Sequence, residues 1–161
     1  MKRIGILSDT HNFLDELIFR HFEYCDEIWH AGDFGNAALA KKLSDFKPLR
    51  GVYGNIDGHD IRALYPEKNH FRIENINVFM QHIGGYPQRY AAGVKDEITK
   101  NKVGLFISGH SHILKIMYDE NLKCLHINPG AAGKQGWQKA RTLVRVSITG
   151  SNLHDCEVIE L

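Results

Sequence analysis

Arg3-Ile4-Gly5-Ile6-Leu7-Ser8-Asp9-Thr10-His11-Asn12 opens with an apolar run and closes on a carboxylate, an imidazole and an amide. A short run of this kind suits a parallel strand buried on both faces, and the polar residues after Leu7 then lie at its carboxyl end. The pattern recurs outward. Phe13 to Tyr24 carries Leu14, Leu17, Ile18 and Phe22 at helical spacing, Glu27 to Ala31 reads as a second strand, and Gly32-Asp33 follows it. Asn36 to Phe46 reads as a helix stopped at Pro48, Leu49 to Tyr53 as a third strand, and Gly54-Asn55-Ile56-Asp57 closes that unit. This β-α-β-α-β rhythm predicts parallel pairing with helices packed on the sheet.

The second half is richer in strands. Phe71 to Ile73 and Val78 to Met80 predict a hairpin around Glu74-Asn75-Ile76-Asn77, and Gln81-His82 follows. Pro87 is placed to open a helix over Gln88 to Lys100. Gly104 to Ser108 is a strand ending in Gly109-His110-Ser111-His112. Ile113 to Tyr118 and Cys124 to Ile127 flank a turn, and Thr142 to Ile148 with Leu153 to Glu160 forms a last antiparallel pair. The expected class is α/β: two packed mixed β-sheets flanked by helices, forming one domain over residues 1–161.

Five strand ends thus deliver Asp9, His11, Asp33, Asn55, His82, His110 and His112 to one edge, where open α/β sheets place their ligands. Imidazole, carboxylate and amide oxygen without thiolate suit zinc, iron or manganese. Seven side chains are more than one tetrahedral ion takes, whereas two ions sharing a carboxylate would use them all. In extended backbone, Asp9 and His11 would point the same way, as would His110 and His112, so each pair would grip one ion. Gly32, Gly54 and Gly109 each precede a candidate ligand and allow unusual backbone angles there.

The ordered set Asp9-x-His11, Gly32-Asp33, Gly54-Asn55-x-Asp57, His82 and Gly109-His110-x-His112 resembles the calcineurin-like metallophosphoesterase superfamily, from residue 6 to about residue 133. Asn128-Pro129-Gly130 is similar to a segment of its small bacterial and archaeal phosphodiesterase branch. The resemblance implies a four-layer α/β/β/α sandwich. It also implies two divalent ions, the first on Asp9, His11, Asp33 and His112, the second on Asp33, Asn55, His82 and His110, with Asp33 bridging. Asp33, Asn55 and His82 become the expected catalytic residues, manganese the expected metal, and zinc, iron and nickel the alternatives. The implied activity is phosphodiester hydrolysis by a metal-bridging hydroxide attacking phosphorus. A phosphomonoesterase (nucleotidase or phosphatase) and a protein-binding scaffold are the competing functions. Asn12 or backbone amides near Gly84-Gly85 are candidates for binding a phosphate oxygen.

Two positions depart from the family pattern. Ile56 stands where many members carry a His that protonates the leaving group, a His the small phosphodiesterases also lack; His59 and Asp57 are the candidate substitutes. Ile83 follows His82 where a Gly is usual. Among the remaining histidines, His21, His59, His70 and His154 read as surface residues. His30 and His126 read as core or supporting groups, His30 as one that could orient a ligand. Asp57 reads as a loop-shaping carboxylate. Phe13, Phe19, Phe22 and Trp29 are expected in the core, and Tyr86, Tyr90 and Trp137 are candidates for a cleft.

Composition narrows the partners. The chain has 161 residues and a formal net charge of +1, so no nucleic-acid partner is indicated. No apolar run is long enough for a bilayer, and the start lacks the apolar stretch of a signal peptide. Three scattered cysteines form no CxxC pair, which fits a cytoplasmic setting. A phosphate ester is the expected substrate, and exposed edge strands would suit a homodimer.

Overall fold

The computed structural model describes residues 1–161. It begins with β1 (Lys2–Leu7), α1 (Leu17–His21), β2 (Glu27–His30), α2 (Ala37–Phe46), β3 (Leu49–Gly51) and α3 (His59–Arg62). The hairpin β4 (Lys68–Ile73) and β5 (Ile76–Gln81) follows, then a miniature one of β6 (Gly85–Tyr86) and β7 (Arg89–Tyr90). After α4 (Val94–Lys100) come β8 (Leu105–Ile107), β9 (Leu114–Asp119), β10 (Cys124–Pro129), β11 (Thr142–Thr149) and β12 (Asn152–Glu160).

The larger strands form two five-stranded sheets, ordered β12-β11-β1-β2-β3 and β4-β5-β8-β10-β9. Both are mixed. β1, β2 and β3 run parallel, as do β5, β8 and β10, and the outer strands pair antiparallel. The period-two alternation of strands explains the layering. Ile4 and Ile6 of β1, Val78 and Met80 of β5, and Leu105 and Ile107 of β8 meet between the sheets. Leu7 turns the other way, onto Ile18, Phe22, Leu39, Leu43 and Ile61 under the first three helices. Phe79 and Phe106 face outward on the second sheet and are covered by Val94 and Ile98 of α4. The result is the four-layer α/β/β/α sandwich.

Two expected helices are shorter than their spacing suggested. The first begins only at Leu17, because Asp15 Oδ1 accepts from the Leu17 N–H at 2.9 Å while Oδ2 pairs with Arg141 at 2.8 Å. That side chain offers residues 13–16 an alternative to helical hydrogen bonding. Pro87 opens a tight turn rather than a helix. Gln88 beside it has φ +78°, the β6–β7 ladder closes around the pair, and α4 waits until Val94. By contrast, Asn36 caps α2 through its side-chain oxygen on the Leu39 N–H at 2.9 Å. Phe22 and Trp29 are fully buried, whereas Phe13 and Phe19 are only partly so. No helix is long and apolar enough to cross a membrane.

Candidate metal centre

The loops after β1 and β2 are laced together. Asp9, His11 and Asn12 donate their amides to the carbonyls of Gly32, Asp33 and Phe34 at 2.9–3.0 Å. His30 braces the same junction. Its Nδ1 accepts from the Gly32 N–H at 3.1 Å, so its Nε2 carries the proton toward Thr10 Oγ1 at 3.0 Å, and Thr10 donates onward to Phe34 O. Burial pushes His30 down to about 3, so it is a neutral strut between the loops and touches no candidate ligand side chain by hydrogen bond.

Asp57 ties in the third loop. Its buried carboxylate accepts from the amides of Asp33, Phe34, Gly35 and Gly54 at 2.8–3.3 Å. A carboxylate spent on four amides shapes the loop and is not placed to donate a proton. His59 sits exposed at the start of α3, and Ile56 is 46% exposed with its N–H on Asp33 Oδ1.

The candidate ligands form two groups, Asp9 with His11 and His112, and Asp33 with His82 and His110; within each, one donor atom per residue lies within 4.8 Å of the others. Asp33 stands between the groups, with Oδ2 3.1 Å from His82 Nε2 and 3.5 Å from His11 Nε2. Asn55 Oδ1 lies 3.0 Å from His110 Nδ1, on the second group's exposed rim. All seven side chains are therefore brought to one edge, and His82 reaches it although Ile83 rather than Gly follows.

The pairing inferred from extended backbone is corrected here. Asp9, His11, Asp33, His110 and His112 all have φ between +45° and +71°, in the left-handed region. Such angles are uncommon outside glycine, and five of them at one site mark stored backbone strain. Consequently His110 and His112 diverge, one to each group, and do not grip the same ion. The glycines also divide. Gly32 has φ +105°, whereas Gly54 and Gly109 are required by close approach, since a Cβ there would overlap Asp33 and Ser8 respectively.

Several of the donor atoms facing the centre face one another as close as 3.1 Å yet make no hydrogen bond. Asp9 Oδ2 accepts from Ser8 Oγ at 2.6 Å and the His110 N–H at 3.1 Å, while its Oδ1, His11 Nε2 and His82 Nε2 are buried with no hydrogen bond. Buried orphaned polar atoms are rare and call for an explanation. Cations held by these carboxylate and imidazole donors would supply one. The far sides of the rings are fixed, His82 Nδ1 on Ala31 O at 2.7 Å and His112 Nδ1 on Gln138 Oε1 at 3.0 Å, which aims Nε2 inward. The charges conform. Burial alone would raise the Asp9 carboxyl, but His11, His112, His82 and Ser8 hold it well below the usual range; for Asp33, burial is likewise outweighed, chiefly by His82, and the carboxyl is lowered. In return the Asp9 carboxylate raises His112; for His82, burial is outweighed by Asp33 and Asp9.

The model of the calcineurin-like phosphoesterase superfamily domain matches residues 1–151. The chain belongs to this superfamily. Its metallophosphoesterase fold recurs in solved structures. Vps29 of Entamoeba histolytica complexed with zinc is 15% identical, with TM-score 0.76 and 98% of each chain covered. A Streptococcus pneumoniae protein described as a predicted phosphoesterase is 20% identical, with TM-score 0.70 and coverage of 99% of this chain and 98% of that one. Yfce, a phosphoesterase from E. coli, is 17% identical, with TM-score 0.63 and coverage of 96% and 98%. No curated protein sequence matches the chain.

Two residues that support this candidate centre, Ser8 and Gln138, escaped the sequence reading. Ser8 sits inside the quoted strand-end motif and could have been suspected there. Gln138 lies 26 residues from the histidine it holds, and its only signal is the run of glycines, Gly130, Gly133 and Gly136, that lets the loop fold back. Asn12 spends its Oδ1 on Asn36 Nδ2 at 2.7 Å, which leaves its own Nδ2 as the group it could offer a substrate. Tyr86 lines a cavity beside His110, Tyr90 is tied to Asp119 at 2.7 Å, and Trp137 is fully exposed.

Proposed function

We propose that this chain is a dinuclear-metal phosphodiesterase of the cytoplasm. The carrying observation is the convergence of Asp9 Oδ1, His11 Nε2 and His82 Nε2, buried and without a hydrogen bond, on one edge of the sandwich. Asp9, His11, Asp33 and His112 would hold the first ion, and Asp33, Asn55, His82 and His110 the second. Manganese is the proposed metal; zinc, iron or nickel suits the same donors. When bound, the ions supply Lewis acidity at the phosphoryl oxygens and an activated water for attack on phosphorus.

The chain's own groups set the rest. Ala31 O and Gln138 Oε1 fix the two ring orientations, and the lacing between the first two loops keeps Asp9 and Asp33 from drifting. Asn55 and His110 are the exposed members, so the ester enters from their side. Asp57 is occupied and Ile56 carries no proton, so neither protonates a poor leaving group, which favours diesters with good ones. All three thiols are free, and burial pushes Cys25 up to about 11 and Cys124 up to about 12, so neither of these two acts as a nucleophile.

The test is hydrolysis of an aryl phosphodiester and the matching monoester by metal-stripped protein refilled with manganese. Faster diester turnover that requires metal supports the assignment. Preference for the monoester replaces diesterase by monoesterase, and no turnover of either with metal bound favours a protein-binding role.

A further inference from the structure

Beside the metal centre, between the β6–β7 hairpin and the outer face of the second sheet, lies a cavity of about 350 Å³. It opens at His110, on the exposed side of the second ligand group. Its rim is apolar: Ile83, Tyr86 and Ile113 are 45%, 36% and 63% exposed, more than such side chains usually are. Its charge is one-sided. Arg89 and Lys115 line it, no carboxylate does, and neither cation has an ion-pair partner. Lys115 instead rests its ammonium 4.1 Å from the centre of the Tyr86 ring.

The wall adds a third feature. His126, on β10, is 1% exposed, and neither ring nitrogen has a hydrogen-bond partner. Burial, aided slightly by the Lys115 charge and opposed by the Phe106 backbone, pushes it down to about 4, so it is a neutral ring with one donor and one acceptor. A polar side chain so buried, with no well-formed hydrogen bond and only the Phe106 backbone close to it, fits a site whose polar partner comes from outside the protein.

We infer that this cavity is the subsite for the organic portion of the phosphate ester, and that Arg89 and Lys115 select substrates carrying a second anionic group there. The inference rests on the phosphoesterase reading for the first phosphate and goes beyond it by naming the substrate class: an ester whose apolar or aromatic part bears hydrogen-bonding groups and a further negative charge. The apolar rim takes the ring system, His126 its polar edge, and the two cations the second anion.

The probe pair is adenosine 5′-phosphonate and its 3′,5′-bisphosphonate counterpart, whose carbon–phosphorus bonds resist hydrolysis. Binding to the manganese-loaded protein is measured by calorimetry. The expected result is roughly tenfold or more tighter binding of the bisphosphonate, the worth of one charge-assisted hydrogen bond, with most of that advantage lost in the Lys115→Met, Arg89→Met double variant. Arg89→Glu alone, at an exposed position, should narrow the same ratio without disturbing the fold. Equal binding of the two probes, or an advantage that survives the double variant, overturns the inference. The two readings fail separately. Equal binding, or no binding of either probe, with metal-dependent diester turnover removes only the subsite, a clear preference without turnover removes only the catalysis, and neither preference nor turnover removes both.

Discussion

Gln138 Oε1 accepts from the His112 ring at 3.0 Å, while Gln138 Nε2 donates to the carbonyls of Gly133 and Gln135. The side chain is thus clamped by its own loop and sets the tautomer of a proposed ligand far away in the sequence. Gln138→Ala is expected to weaken metal binding at the Asp9–His11–His112 group by about 10–100-fold. Chelator competition reads this directly, and Gln138→Glu should restore most of the affinity, which a merely structural role would not require.

Asp57 holds the loops after β2 and β3 in register through its four amide hydrogen bonds. Asp57→Ala leaves those buried donors unsatisfied and should cost on the order of 3 kcal/mol or more in urea unfolding of the metal-free protein. Asp57→Asn, which keeps one acceptor oxygen, should cost less.

Metal uptake should depend on pH with a defined sign. In the metal-free protein the neighbouring carboxylates raise His82 and His112 above the ordinary histidine value. An incoming ion must displace those protons, so apparent affinity falls as pH drops through the raised values and levels off above them. Calorimetry should find weaker binding at about pH 6 than at about pH 8, with protons released on binding.

Much of this architecture could be read from the chain itself, for a physical reason. A strand buried on both faces is a short apolar run, and a polar residue directly after it must lie at the carboxyl edge, as Ser8-Asp9 after Leu7 and Gln81-His82 after Met80 both do. What stayed hidden depends on backbone angles and on distant partners. The divergence of His110 from His112 follows from left-handed angles that no side-chain pattern announces, and Pro87 serves a turn as readily as a helix start. The Gln138–His112 contact joins residues that share no element, and Arg89 and Lys115 meet one cavity only because β6–β7 folds over the sheet that carries β9.

The central claim is that two ions share Asp33, whose Oδ2 lies within reach of His11 and His82 alike. Elemental analysis of manganese-saturated, desalted protein tests it most directly. The account predicts two ions per chain, falling to one or none in Asp33→Asn while the fold is kept. One ion or none in the unaltered chain, or two still held by the variant, would contradict it.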